Sequence, residues 1–85
     1  MSVTVNIITP VYNAEDTIQK VYSSLKNQRY TNWRWILIDD GSTDQSYAIM
    51  QRLKSKDKRL VVVKNLGKKG AGGARNFGLK LVSTP

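Results

Sequence analysis

Three stretches of the chain concentrate residues able to do chemistry. The first is Thr9, Pro10, Val11, Tyr12 and Asn13. The second is Asp39, Asp40, Gly41, Ser42, Thr43 and Asp44. The third, residues 64–73, is rich in glycine and lysine and leads to Arg75. Adjacent carboxylates such as Asp39 and Asp40 repel each other and need a stabilising partner: a metal, a donor on a ligand, or a nearby helix dipole. An ionised Asp40 can accept the imide N–H of uracil, a donor that cytosine lacks at that position. In the first stretch Pro10 fixes φ, and Tyr12 offers a flat face with a hydroxyl that suits stacking on or edging a planar base. In the third, glycines let backbone amides approach an anion, and Lys68, Lys69 and Arg75 carry charge that can neutralise a diphosphate. Each stretch also has a plainer reading: a turn before a helix, a set of acids capping a helix, and a solvated basic loop.

The composition removes several other chemistries. Cysteine and histidine are absent, which excludes disulfides, thiolate and imidazole metal sites, cysteine nucleophiles and any Ser-His-Asp triad within these 85 residues. Gly67 and Gly72 have the glycine spacing of an NTPase phosphate loop, but Lys-Ser or Lys-Thr does not follow. Gly70-x-Gly72-x-x-Arg75 lacks the third glycine of a dinucleotide fingerprint. A phospho-acceptor receiver domain requires its acid cluster at the first strand, where Thr9 and Pro10 stand instead.

Charge is unevenly placed. The net charge of +8 divides into four basic against five acidic residues over 1–50, and ten against one over 51–85. Such a basic block suits phosphates or nucleic acid, or a solvated surface whose acidic complement lies elsewhere in a longer chain. No run approaches the roughly 18 to 20 apolar residues that span a bilayer. Met1 leads into a short alternating segment instead of a signal peptide, so the expected location is cytoplasmic.

The elements that must position these groups follow from periodicity. Residues 3–9 read as a buried strand ended by Thr9-Pro10. After Asn13 as a cap, Ile18, Val21, Tyr22 and Leu25 form the apolar face of a helix ending near Gln28, with Glu15 and Asp16 in its first turn. Residues 33–38 form a second strand, stopped by Asp39-Asp40-Gly41. Ser42, Thr43 and Asp44 are N-cap candidates, and Ser42 with Gln45 makes a capping box before a helix carrying Tyr47, Ile49, Met50 and Leu53. Residues 60–63 form a third strand, and Ala74, Phe77, Gly78 and Leu81 mark the inward stripe of a third helix. The order βαβαβα, with strands lacking a polar face, predicts an α/β fold: a Rossmann-like parallel sheet with helices on both faces. Open sheets of this kind usually have five or more strands, so the expected unit is a single incomplete domain over residues 1–85. Ligands then bind beyond the carboxyl ends of the strands, where the three polar stretches lie.

Taken together, Ile7-Ile8-Thr9-Pro10-Val11-Tyr12-Asn13-Ala14-Glu15, Ile36-Leu37-Ile38-Asp39-Asp40-Gly41-Ser42-Thr43-Asp44 and Gly73-Ala74-Arg75-Asn76-x-Gly78 resemble the N-terminal, nucleotide-binding half of a family-two inverting glycosyltransferase with the GT-A fold. The resemblance spans nearly all of the chain, and the three motifs in order are specific where each alone is not. It implies a nucleotide-diphosphate-sugar donor, usually a UDP-sugar, and inverting transfer to a glycan, lipid or polysaccharide hydroxyl in cell-envelope or polysaccharide biosynthesis. By resemblance, Pro10 and Tyr12 border the nucleobase, Glu15 lies near the ribose, and Asp40 accepts the base N–H. Asp39 supports the loop, Asn13 caps the helix, and Arg75, or Lys68 or Lys69, faces the diphosphate. Asn76 and Gly78 serve helix packing, and the Gly-Lys-Lys insertion departs from the usual pattern.

The resemblance also implies a divalent cation, Mn²⁺ or Mg²⁺, held by an Asp-x-Asp motif beyond Pro85, and a catalytic carboxylate further on. Within the segment the expected catalytic and metal-ligand sets are therefore empty, and the segment alone is expected to be inactive. Peripheral association with the inner face of the cytoplasmic membrane fits the basic second part without being required by it. Two competing classes are a basic nucleic-acid-binding module, stacking bases on Trp33, Trp35, Tyr22, Tyr30 and Tyr47, and a structural fragment without a ligand. Since Tyr22 and Tyr47 fall on helices and the two tryptophans open the central strand, no nucleic-acid partner is expected.

Overall fold

The computed structural model describes residues 3–66 and 69–83. Its elements alternate as β1 (Val5–Val11), α1 (Ile18–Asn27), β2 (Trp33–Asp39), α2 (Ser46–Lys56), β3 (Leu60–Lys64) and α3 (Ala71–Ser83). The strands form one parallel sheet in the order β1-β2-β3. Central β2, Trp-Arg-Trp-Ile-Leu-Ile-Asp, is buried at every position except Arg34 because both its faces are covered. Trp33, Trp35 and Leu37 face one side, where they meet Ile18 and Tyr22 of α1 and Met50 and Leu53 of α2. Ile36 and Ile38 face the other, against Ala74 and Phe77 of α3. Two crossovers stepping in the same direction across the sheet put α1 and α2 on one face, and the chain then returns as α3 over β1 and β2. Gly78 permits that return: a Cβ there would stand 2.7 Å from Ile8 Cγ2.

The expected architecture is therefore present, while several boundaries differ from expectation. Thr9-Pro10 does not end β1, which continues to Val11 in register with Asp39. Val5 N–H donates to Asn32 O, and Val11 O accepts from Asp40 N–H, so odd-numbered residues of β1 bond to β2. Alternation turns Pro10, with its missing donor, toward the unpaired edge, where proline is tolerated. Helix α1 begins at Ile18, not directly after Asn13, because Thr17 and Ile18 N–H groups both turn back to Ala14 O. Glu15 and Asp16 consequently lie in this turn, outside the helix. Val21 is 43% exposed, off the inward stripe that Ile18 and Tyr22 occupy. Helix α3 starts at Ala71, within the glycine-rich stretch, instead of after Gly73. Asn76 is exposed, so of the two residues assigned to helix packing only Gly78 takes that part.

The end of the sheet where the strands begin is fastened by Asp57. Its carboxylate accepts from Arg59 Nε and a terminal guanidinium nitrogen, at 3.0 and 2.8 Å, and from Tyr22 Oη at 3.0 Å. The Arg59 guanidinium also lies 3.9 Å over the Trp33 ring and donates to Thr31 O. With α1, α2, β2 and β3 tied there, the opposite end is left to the three polar loops.

Candidate functional site

The register sets Val11, Asp39 and Lys64 side by side, so β1, β2 and β3 all end at one level. Residues 9–13, 39–44, 64–66 and 69–73 thus share one edge of the sheet. Each strand hands its loop to the next through the backbone: Asp40 N–H donates to Val11 O, and Asn65 N–H to Asp39 O, both at 2.8 Å.

The first two loops are locked by reciprocal side-chain bonds. Asn13 adopts φ of +48°, a left-handed conformation that Asn tolerates better than most residues. Its Oδ1 accepts from Thr43 N–H at 2.8 Å and Asp44 N–H at 3.3 Å. In return Ser42 Oγ accepts from Asn13 N–H, Ser46 Oγ from Ala14 N–H and Asp44 Oδ2 from Glu15 N–H, while Glu15 Oε2 accepts from Gln45 N–H. These bonds correct two expectations. Asn13 does not cap α1, since the chain turns once more before that helix begins; it satisfies the amides that precede α2. The Ser42–Gln45 capping box is not formed, because Ser42 is turned to the first loop and Gln45 N–H to Glu15. Asp44 alone among the cap candidates takes an amide of α2, accepting from Ser46 N–H at 2.8 Å. Burial opposes ionisation of Asp44, yet the hydrogen bonds from Ser46 and Glu15 hold its carboxyl below the ordinary value.

Asp40 connects the second loop to the third. Its Oδ1 accepts from Asn65 Nδ2 at 2.9 Å and its Oδ2 from Gly70 N–H at 2.8 Å. The Asn65 amide, then the Gly70 N–H and the charge of Lys69, hold the Asp40 carboxyl below its ordinary range against partial desolvation. Gly70, at φ +102°, also gives its carbonyl to Ala74 N–H in the first turn of α3. Asp40 is therefore an ionised acceptor at neutral pH, oriented from two directions and half-buried. Asp39 differs from its neighbour: it is 4% exposed, and its Oδ1 lies 3.4 Å from Ser42 N–H in the turn. The two acids thus separate into a buried carboxylate near the turn amide of Ser42 and a half-buried one held between Asn65 and Gly70.

Tyr12 follows β1 directly and is 61% exposed, and Pro10 is half-buried opposite Ile38. Glu15 is exposed but tied to Asp44 and Gln45. Arg75 and Lys69 are exposed at the start of α3 and just before it, and Lys68 lies outside the described residues. Asp40, Asp39 and Glu15 are therefore joined in one hydrogen-bonded edge, with Tyr12 and Arg75 presented to solvent beside it. Among the described residues no group of three or more Asp and Glu side chains is arranged to hold a metal ion. Three of the five aromatics that would stack nucleic-acid bases, Trp33, Trp35 and Tyr22, are 7% exposed or less.

The sequence model of glycosyl transferase family 2 matches residues 6–85. The chain belongs to glycosyl transferase family 2. This family member is 43% identical over 77 residues to UDP-Glc:alpha-D-GlcNAc-diphosphoundecaprenol beta-1,3-glucosyltransferase WfaP of Escherichia coli, covering 91% of the chain and 30% of the relative. It is 40% identical over 76 residues to the putative teichuronic acid biosynthesis glycosyltransferase TuaG of Bacillus subtilis, covering 89% and 30%. An uncharacterised glycosyltransferase of Haemophilus influenzae is 45% identical over 76 residues, with the same coverage. The chain thus spans about a third of the length of these curated relatives. No helix among the described residues of this glycosyltransferase-family chain is long and apolar enough to cross a membrane.

Two further residues of this family-2 edge were not singled out from the sequence. Ser46 is fully buried, with its hydroxyl on the Ala14 amide. A signal was available, since positions 46, 50 and 53 form the inward stripe of α2, and a polar residue on such a stripe needs a partner. Asn65 stands one residue past β3, level with the acid pair, and that placement follows only once the strands are aligned.

Proposed function

We propose that the chain is the nucleotide-binding portion of a glycosyltransferase that uses a nucleotide-diphosphate-sugar donor, a UDP-sugar, for inverting transfer to a glycan, lipid or polysaccharide hydroxyl. The observation that carries this reading is the state of Asp40: ionised, half-buried and fixed by two donors on different oxygens, at the strand-end level where β1 also stops and exposed Tyr12 follows. Such a carboxylate accepts the imide N–H of uracil and offers nothing to the acceptor nitrogen of cytosine. Pro10 and Tyr12 border the base, Glu15 lies by the ribose, and Asp39 keeps the turn in shape. Arg75, with Lys68 or Lys69, faces the diphosphate where the N-terminus of α3 adds its own amides.

The segment is read as one incomplete domain over residues 1–85, with the metal-binding carboxylates and the catalytic base supplied by sequence further along a longer chain. A divalent cation bound there would neutralise the diphosphate as the bond to the sugar breaks. Reaction on a lipid-linked or polysaccharide acceptor accords with the names of the relatives, one a glucosyltransferase acting on a GlcNAc-diphosphoundecaprenol and one a putative enzyme of teichuronic acid biosynthesis, and we place it at the cytoplasmic membrane face. Titration with UDP, with and without Mn²⁺, followed by amide chemical shifts tests the binding claim. Perturbations centred on Tyr12, Asp40 and Arg75 are expected, whereas salt-sensitive binding of oligonucleotides with no response to UDP would replace this reading with a nucleic-acid module.

A further inference from the structure

An aspartate carboxylate turns easily about its last side-chain torsion, whose energy profile is broad. One hydrogen bond leaves that plane free to rock; two from different directions fix it. Asp40 receives two, from Asn65 Nδ2 at 2.9 Å and from Gly70 N–H at 2.8 Å, each on a different oxygen. Each carboxylate oxygen has two lone-pair sites, so one site per oxygen is still open after these bonds form. Asn65 is itself held at the end of β3, where its N–H donates to Asp39 O at 2.8 Å. The backbone that carries the amide donor is therefore anchored to the same β2 terminus that carries the acid pair.

From this arrangement we infer that Asn65 is a positioning residue for base selection: its side-chain amide aims the Asp40 carboxylate, so that a base with an imide N–H is preferred over one with a ring acceptor. The inference rests on the proposed uracil contact of Asp40 and adds to it the residue that makes the contact selective. Removing the amide leaves Asp40 with the Gly70 bond alone, its plane free to turn and its proton affinity nearer to that of an ordinary carboxyl. Uracil then loses a well-aimed acceptor, while cytosine, which never used that acceptor, loses nothing.

The test is calorimetric binding of UDP and of CDP to the full protein and to Asn65→Ala, Asn65→Asp and Asp40→Asn variants. The Asp variant keeps the shape of Asn65 and removes its donor, so it serves if the Ala variant folds poorly. Asn65→Ala is expected to weaken UDP about tenfold, the size of one lost hydrogen bond to an ionised group, with CDP unchanged. Asn65→Asp is expected to weaken UDP at least as much, since a second carboxylate faces Asp40. Equal losses for UDP and CDP, or an unchanged UDP affinity in both Asn65 variants, would overturn the positioning role. If Asp40→Asn itself leaves UDP binding intact, the base contact fails and the inference falls with it; if only Asp40→Asn weakens UDP, the base contact stands and Asn65 is merely structural.

Discussion

Asn13 is where a single side chain joins two of the three loops, and its replacement separates two contributions to that joint. The residue sits at φ +48° and accepts two backbone N–H groups, from Thr43 and Asp44. These bonds are exposed to solvent, so each is worth the low end of the usual range, about 0.5 kcal/mol, or about 1 kcal/mol together. Asn13→Gly loses them and gains unfolded-chain entropy worth about 0.5 kcal/mol, but it accepts the left-handed backbone freely; the expected destabilisation is about 1 to 1.5 kcal/mol. Asn13→Ala loses the same bonds and also the short polar side chain that lets Asn adopt that backbone region, which costs about 1 kcal/mol more, for a total of about 2 kcal/mol. Asn13→Asp keeps both the acceptor and the tolerance of positive φ, and at moderate salt stays within about 0.5 kcal/mol of the parent. Urea unfolding gives the order Asp, Gly, Ala, and hydrogen exchange at the Thr43 and Asp44 amides speeds up in Gly and Ala only. An Ala variant no less stable than Gly would refute the backbone strain. An Asp variant as unstable as Gly would refute the acceptor role.

Other expectations concern the scaffold beneath the site. Arg59, aided by its own N–H and by Tyr22, holds the Asp57 carboxyl at about 2 against burial, from an ordinary 3.8, and the side chain is 10% exposed. A depressed folded-state value means that this stability is present above about pH 4 and is lost as the pH falls through 2; linkage puts it at about 2 kcal/mol. Asp57→Asn should therefore lower the unfolding free energy by about that much at pH 7, and the gap to the parent should close near pH 2; an equal gap at both values would show that charge is not the cause. Ser46→Ala leaves the partly buried Ala14 amide without its acceptor and should cost about 1 to 2 kcal/mol in thermal or urea unfolding. Gly78→Ala gains about 1 kcal/mol of helix propensity but forces a Cβ against Ile8 Cγ2 at 2.7 Å, an overpacking worth about 1 to 3 kcal/mol. The net effect should be destabilising and should disappear on an Ile8→Ala background; a stabilised single variant would mean that α3 lifts off the sheet without cost.

Much of the fold is legible in the sequence because β2 is apolar at nearly every position. A run such as Trp35-Ile36-Leu37-Ile38 has no polar face to turn to water and must lie between two layers. Boundaries were harder where tertiary pairing overrides local rules. Pro10 reads as a strand breaker, yet it lies in β1 because its missing N–H faces the edge that β2 does not use. Ser42, Thr43 and Asp44 read as caps for the helix after them, which is the nearest set of orphan amides in the sequence. In space Ser42 meets Asn13 N–H, 29 residues away by chain and adjacent by fold. Asp40 was legible as an acceptor from its position at a strand end. The pair that orients it, Asn65 and Gly70, becomes visible only when β3 is laid beside β2.

The central claim is that uridine diphosphate sits across these strand ends with its base against Tyr12 and Asp40. Intermolecular nuclear Overhauser effects from the uracil H5 and H6 protons of bound UDP measure this most directly. Contacts to the Tyr12 ring and to Pro10, lost in an Asp40→Asn variant that remains folded, are the predicted result. Saturating UDP that gives no contact there, or contacts only at the far end of the sheet around Lys26, Arg29 and Lys58, would contradict the assignment of the site.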